Sequence, residues 1–514
     1  MSRSLKNLAV FGIVVAVAIL ISIIHHYQLR FAVEKYIAQL KTEGEPMELS
    51  QMIPPPVPPE KNSAPLFWKA FMLFTTNNDV LTTNGPAAMH GVALGKAIVA
   101  WAQPQIRDEY SSNSWNQLQA ALVQNREAFK LLNQISNNAV FDFNLQYAQR
   151  FEMKITNLVS EKIFVQRLSA DAIHDLHTGD TVSAAKDIQA CLALVNGTDD
   201  ERTAISQLVR IAMTQIAAAG TWEILQSTNL TNESLAELQN SWSQLKFIQP
   251  LERALPLERE GALTTTAKWR SSNSELQHYF DLQKQVQTVL GNDDGREKSF
   301  WENVKLKIKI FLWRYWWSYP DQLRYLKGYK VLADSARFAE TNGVYQVALQ
   351  NQNSELDRLG ISNLHNSFDS ILSGQTDFHF MQSESIVTLG SVMRKVMRVE
   401  VTKQAVTTAI ALNRYQLKHG NYPPDLYALV PEFLQSIPLD PVDGQPLRYR
   451  LNADGTFLLY SVGENGKDDG GNPALDTGAQ SSSYFWQNPH ALDWVWPQPA
   501  TEQEVQNYYA HQPK

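Results

Sequence analysis

The chain has 514 residues, 44% of them hydrophobic, which is enough for two or three domains with substantial cores. Its 45 Lys and Arg against 52 Asp and Glu give a formal net charge of −7, which argues against a general nucleic-acid partner. One cysteine, Cys191, excludes an intrachain disulfide framework, and its helical surroundings predict a small buried hydrophobe.

Residues 1–7 read as a cytoplasmic N-terminus. Leu8 to Ile24 is an uncharged apolar run. At about 1.5 Å per residue it covers about 26 Å, close to a hydrocarbon core of about 30 Å, so a transmembrane helix over 8–24 is expected. His25, His26 and Tyr27 would sit at the far interface. Ser22-Ile23-Ile24-His25 is too bulky for a small-x-small cleavage site, which favours an uncleaved anchor over a signal peptide. Arg3 and Lys6 precede the run while Arg30 and Lys35 follow it, a modest bias whose simplest topology puts the large domain outside. Residues 25–62 read as a juxtamembrane and proline-rich linker, with Ile53 to Glu60 as an extended spacer.

From 63 to 385 helical patterns dominate. Phe67, Trp68, Ala70, Phe71 and Phe74 open them, and Leu118, Leu122 and Phe129 continue them. A pair is expected at Asn157–His177 and Thr181–Leu194, broken by Gly179-Asp180, with Ala184, Ile188 and Leu192 on one face. A new helix starts near Ile205. The pairing is loosely tetratricopeptide-like, but no fixed 34-residue period recurs, so an irregular α-helical domain is expected. Lys305 to Tyr319 mixes lysines with tryptophan and tyrosine, which suits either a membrane interface or a core. Adjacent Trp316 and Trp317 cannot share one narrow face, which favours the core.

Candidate chemistry in this region is thin. Gly91 to Ala97 is one residue short of a P-loop. Ser243-Gln244-Leu245-Lys246 and Ser271-Ser272-Asn273 fit pieces of penicillin-recognising enzymes, but no matching strand follows. His174 and His177, with Asp171 a turn earlier, have zinc-like spacing without a visible third ligand, so they read as helix-end histidines. Glu258 and Glu260, two apart on a helix, point away from each other and make a poor acid/base pair. No catalytic residues are assigned.

The C-terminal region is more specific. Val399, Val406, Ile410 and Leu417 share a helical face that stops at Gly420. Leu426, Leu429, Val430, Phe433 and Leu434 suggest a short second helix. Asp440-Pro441 and Asp443-Gly444 mark turns, and Leu447, Tyr449 and Leu451 alternate as a half-buried strand. A loop at Asn452 to Gly455 returns the chain through Thr456 to Ser461. A loop rich in glycine and carboxylate then holds Asn465, Asp468 and Asp469. This order resembles the C-terminal domain of the major pseudopilins of type II secretion, whose last loop holds calcium. The resemblance implies a small α+β domain over 386–480, completed by a tail at 481–514. It implies a calcium site at Asn465, Asp468 and Asp469, with Asp493 matching a further aspartate near the chain end. Two features depart from the pattern: Asn465 stands where Asp is usual, and Asn472 to Pro489 is extra. The N-terminus lacks the prepilin glycine-phenylalanine junction, so assembly into a pilus is not implied.

The whole order is also similar to a group of bacterial membrane-anchored proteins, through Pro58, Pro59, Glu60, Asn62, Ala64, Ser206 to Arg210 and Asp440 to Gly444. That similarity implies no activity. The expected protein is therefore mainly α: an anchor, an irregular helical ectodomain and a pseudopilin-like α+β end. It sits in a bacterial inner membrane with its body in the periplasm. Its expected role is a non-enzymatic scaffold or binding protein with envelope protein partners and calcium. The alternatives are an accessory of a type II secretion-like system, or an envelope hydrolase whose site is assembled from distant residues.

Overall fold

In the computed structural model, residues 3–74, 89–107, 112–135, 138–280, 300–361, 382–475 and 490–511 are described. The chain is mainly helical, with small sheets built largely from its C-terminal part. Helix α1 (Arg3–Thr42) carries the apolar run and then continues, without a break, through residues read from the sequence as linker. Nothing between His25 and Thr42 is a proline or glycine, so the helix ends only near Gly44, which takes a left-handed φ of 85°. Side chains at Leu8 to Phe11, Val15, Ala18 and Ile19 lie outside the described set. Counted over described residues alone, no helix is long and apolar enough to cross a membrane.

The C-terminal half of α1 packs on α10 (Ser318–Asn342), with Val33 and Leu40 buried. Just beyond α1, Glu45 is 4% exposed and receives Arg337 Nη1 at 2.5 Å and Nη2 at 3.1 Å. Arg337 also holds Glu252 at 2.9 Å. Burial disfavours the Glu45 carboxylate, but the Arg337 hydrogen bonds and charge win and hold its carboxyl below the ordinary value. Arg259, fully buried, stacks over Tyr329 and donates to the Pro46 carbonyl.

α2 (Ala64–Met72) packs on α3 (Trp115–Leu132), with Phe67 among Trp68, Phe141, Phe143 and Phe164. The expected pair appears as α4 (Asn157–Thr178) and α5 (Thr181–Gly197). Gly179 takes a φ of 87°, and Asp180 caps α5 by accepting the Ser183 N–H at 3.0 Å. α6 (Ala204–Ile224) lies on both, so close at Gly220 that a Cβ there would stand 2.4 Å from Ile188 Cδ1. Cys191 is fully buried, as its pattern predicts. α7 (Asn232–Ser243), α8 (Ile248–Ser271), α9 (Phe300–Leu312), α10 and α11 (Tyr345–Arg358) complete the helical body.

Two short strands, β1 (Gly91–Ala93) and β2 (Lys96–Ala97), form a hairpin in place of any phosphate loop. A second small hairpin joins β3 (Ile106–Arg107) to β4 (Ser112–Asn113). α12 (Glu384–His419) buries Val396, Val399, Val406 and Ile410. Leu417 departs from that face and is 46% exposed, because the last turn packs through Tyr415 onto Phe433 instead. The expected second helix is reduced to one 3₁₀ turn at Leu426–Leu429. Val430 precedes Pro431 and is extended, which ends the helix there. β5 (Arg448–Leu451), β6 (Phe457–Ser461) and β7 (Trp494–Val495) make an antiparallel sheet, with Leu451 opposite Phe457 and Ser461 opposite Trp494. β8 (Gln498–Pro499) then leaves that sheet and pairs in parallel with β2. α13 (Glu502–Ala510) follows and contacts β1.

Two side chains at the end of α6 hold these distant pieces together. Trp222 Nε1 donates to the Pro497 carbonyl at 2.9 Å. Glu223, fully buried, accepts the Ala100 N–H at 2.9 and 3.2 Å.

Candidate cation-binding loop of the C-terminal sheet

The loop that follows β6 turns at Gly463, Gly466, Gly470 and Gly471, all with φ between 66° and 79°. At Gly463 the close neighbour is backbone, since a Cβ would lie 2.6 Å from the Leu492 carbonyl oxygen. These turns fold the loop around Asp493, which is 0% exposed next to β7. Its Oδ2 accepts the N–H groups of Gly471 and Asn472, both at 2.8 Å, and Oδ1 accepts Asp469 N–H at 3.3 Å. Burial raises the Asp493 carboxyl above its ordinary value, with those three amides opposing. The Asn465 amide donates to Asp469 Oδ2 at 2.9 Å while its oxygen accepts the Lys467 N–H at 2.8 Å.

Three of the four residues expected at a cation site therefore come together: Asn465, Asp469 and Asp493. Asp468 faces elsewhere. Its Oδ1 accepts the Tyr460 hydroxyl at 2.9 Å, and its Oδ2 is 3.6 Å from Arg448. Much of the extra stretch from Asn472 to Pro489, residues 476–489, lies outside the described residues.

The donors in the loop are all hard oxygens, which is the chemistry calcium requires. A carboxylate offers about four lone-pair positions, and three on Asp493 already accept N–H groups. Asp493 therefore organises the loop, and Asp469 with Asn465 would provide most of the side-chain coordination.

A neighbouring carboxylate explains the Asp440 to Gly444 motif. Asp440 is fully buried and accepts Ser461 Oγ at 2.9 Å and the N–H groups of Val442 and Val462 at 3.0 Å. Arg448 grips Asp443 through both terminal nitrogens, at 3.1 and 2.6 Å. The motif thus pins its turn to the end of β6, directly before the loop.

No family model, no curated protein and no solved structure matches the chain.

Sequence reasoning missed a buried polar centre in the helical body. Asn157 Nδ2 donates to Glu161 at 2.7 Å and to Glu201 at 2.5 Å. Burial, reinforced by the Glu201 charge, pushes the Glu161 carboxyl well up. Arg210 beside them donates to the Val195 carbonyl at 2.8 Å and to Gln207 at 2.6 Å. This network accounts for the polar residues of Ser206 to Arg210 as links between α4, α5 and α6. Glu258 accepts the Ala204 N–H at 2.8 Å, while Glu260 pairs with Arg150 at 2.9 Å, so the two diverge as expected. His177 stacks on Trp115 at 3.8 Å and bonds the Trp101 carbonyl at 2.8 Å. It is drawn away from Asp171 and His174, which instead gather with Asp175.

Proposed function

We propose that the protein is a non-enzymatic scaffold tethered to a bacterial inner membrane. Residues 8–24 cross the bilayer, and the helical body and C-terminal sheet lie on the periplasmic side. The continuity of α1 carries this reading. One helix leaves the uncharged run and brings His26 to the Tyr315 carbonyl at 3.0 Å. It then buries Val33 and Leu40 and ends just before the Glu45 clamp. A helix docked in this way holds the body at a fixed height above the bilayer, which a flexible linker cannot do.

The Lys305 to Tyr319 segment supports the same height. It forms α9 and a π turn at Trp313–Trp317. Trp313 is buried against Leu276, Phe280 and Ile310, as a core reading requires. Trp301, Phe311, Tyr315 and Trp316 remain 70%, 57%, 46% and 40% exposed. His25 meets Trp316 with ring centres 5.8 Å apart, at the point where the apolar run ends. Tryptophan and tyrosine favour the headgroup level, and lysines 305, 307 and 309 favour anionic lipid. The C-terminal loop takes calcium at Asp469, Asn465 and Asp493 and fixes the sheet as a docking surface for an envelope protein.

The test is flotation of the full chain with vesicles containing brominated anionic lipid. Bromine quenching of tryptophan fluorescence that drops when Trp301 and Trp316 are replaced by Ser supports the reading. Equal quenching in both proteins contradicts the interfacial placement of the belt.

A further inference from the structure

We propose that the cleft between α7, α12 and the chain at 434–439 binds an extended, uncharged peptide segment of a partner protein, taken up as an added β-strand. The cleft holds no residue of the cation loop, and the inference stands whether or not the membrane and calcium readings hold. Its volume is about 670 Å³. It lies where the helical body meets the C-terminal part of the chain, a common place for ligand sites.

The backbone of one wall carries the argument. Leu439 stands opposite Pro446 in an antiparallel bridge. The bonds flanking it run from the Leu447 N–H to the Pro438 carbonyl at 2.9 Å and from the Asp440 N–H to the Gln445 carbonyl at 2.7 Å. Leu439 and Pro446 are therefore a non-hydrogen-bonded pair, and the N–H and C=O of Leu439 point away from that partner. Ile437 precedes Pro438, which keeps it extended, so its N–H and C=O turn the same way two residues earlier. Both residues line the cleft. Neither meets a backbone hydrogen-bond partner among the described residues. Donors and acceptors repeating every two residues are what an incoming strand pairs with.

The facing wall suits a peptide as well. Asn240 of α7 and Gln404 of α12 offer amide side chains, each with donors and an acceptor, to the far edge of such a strand. Among the described residues no carboxylate lines the cleft. Its one cation, Lys403, is already committed: Nζ donates to the Leu245 carbonyl at 2.7 Å and lies 3.5 Å from Glu400. A charged side chain would find no counter-ion there, which sets the occupant as neutral. Leu439, 52% exposed, gives a β-branched residue opposite it an apolar neighbour.

The test selects random heptapeptides displayed on phage against the full chain in detergent, and the strongest binder is then synthesised. The proposal expects a sequence rich in valine, isoleucine and threonine and poor in charge. Its affinity, read by fluorescence anisotropy, should fall at least about tenfold when alternate amides of the peptide are N-methylated, as the loss of one or two main-chain hydrogen bonds requires. Leu439→Pro, which removes an N–H without a backbone partner in the fold, should cause a similar loss. In the unmutated chain, bound peptide should slow hydrogen exchange at the Ile437 and Leu439 amides, as read by fragmentation mass spectrometry. This arm stands even if the variant fails to fold. Selection of no peptide, binding indifferent to N-methylation, or unchanged exchange at both amides overturns the proposal, as does a cleft that takes chito-oligosaccharide in place of peptide.

Discussion

Replacing Glu223 by Gln should reverse the stability order of the two proteins between acid and alkaline pH. Glu223 is fully buried, and burial drives its carboxyl up to about 8, although backbone N–H groups of Ala100, Met89 and Trp101 pull the other way. In the unfolded chain it titrates near its ordinary value of 4.5. A raised pKa favours the fold below the unfolded value, where both states hold the proton. As pH rises, the unfolded chain ionises first, and stability falls by up to about 1.4 kcal/mol per pH unit until the folded group ionises. Over the interval from 4.5 to about 8 the loss totals about 5 kcal/mol. Glutamine cannot ionise. It keeps one acceptor for Ala100 but buries an amide group that needs partners, at about 1–3 kcal/mol. Wild type should therefore be more stable at pH 4 by about 1–3 kcal/mol, and the variant more stable at pH 9 by about 2–4 kcal/mol. Urea unfolding followed by tryptophan fluorescence across this range reads the crossing. A difference that stays constant with pH would mean that the three amides keep Glu223 ionised, and the argument from burial would fail.

Other expectations follow from named contacts. Gly463→Ala should cost about 1–2 kcal/mol for its left-handed backbone and a further 1–3 kcal/mol for the clash with the Leu492 carbonyl. Gly420→Ala, with a φ of 81° and open space around it, should cost only the first part, so equal midpoint losses in denaturant would refute the close approach. Glu45→Ala strands Arg259 and weakens the hold of Arg337. It should cost about 3 kcal/mol, the low end for a buried pair because Arg337 is 37% exposed, and the variant should admit protease after α1. Because the Glu45 carboxyl is held low, its stabilisation is present at neutral pH and fades as pH falls below about 4.5. Calcium at about a hundredfold over its dissociation constant should stabilise the fold by about 2.7 kcal/mol. Asp469→Asn should abolish that response, and a calcium effect no larger than that of magnesium would count against the loop.

The legible parts of the fold were those written in local chemistry. The glycine stops at Gly179 and Gly420 were readable because a left-handed residue leaves a local mark. So was the β5–β6 hairpin, whose alternation and Asn452 to Gly455 turn lie in one short stretch. Leu426 to Leu434 looked helical by its apolar spacing, but Pro431 fixed the preceding residue as extended, and that constraint outranks spacing. β2 and β8 were illegible because each is two residues long, too short for any period, and their partners are about 400 residues apart in sequence. The site residues divide in the same way. Asn465, Asp469 and Asp493 meet because the glycines of the loop allow it, whereas Asp468 is captured by Tyr460 and Arg448 on the neighbouring strands. The polar centre of Asn157, Glu161 and Glu201 left no signal, since Glu201 lies in the connection before α6, 44 positions from Asn157 on α4, and all three look like ordinary surface residues in the string.

The tether is tested most directly by protease treatment of intact spheroplasts expressing the full chain. The account predicts rapid cleavage of the body and retention of a small α1-containing fragment in the membrane pellet. A chain that stays whole until the membrane is lysed, or that is recovered from the soluble cytoplasmic fraction, would contradict it.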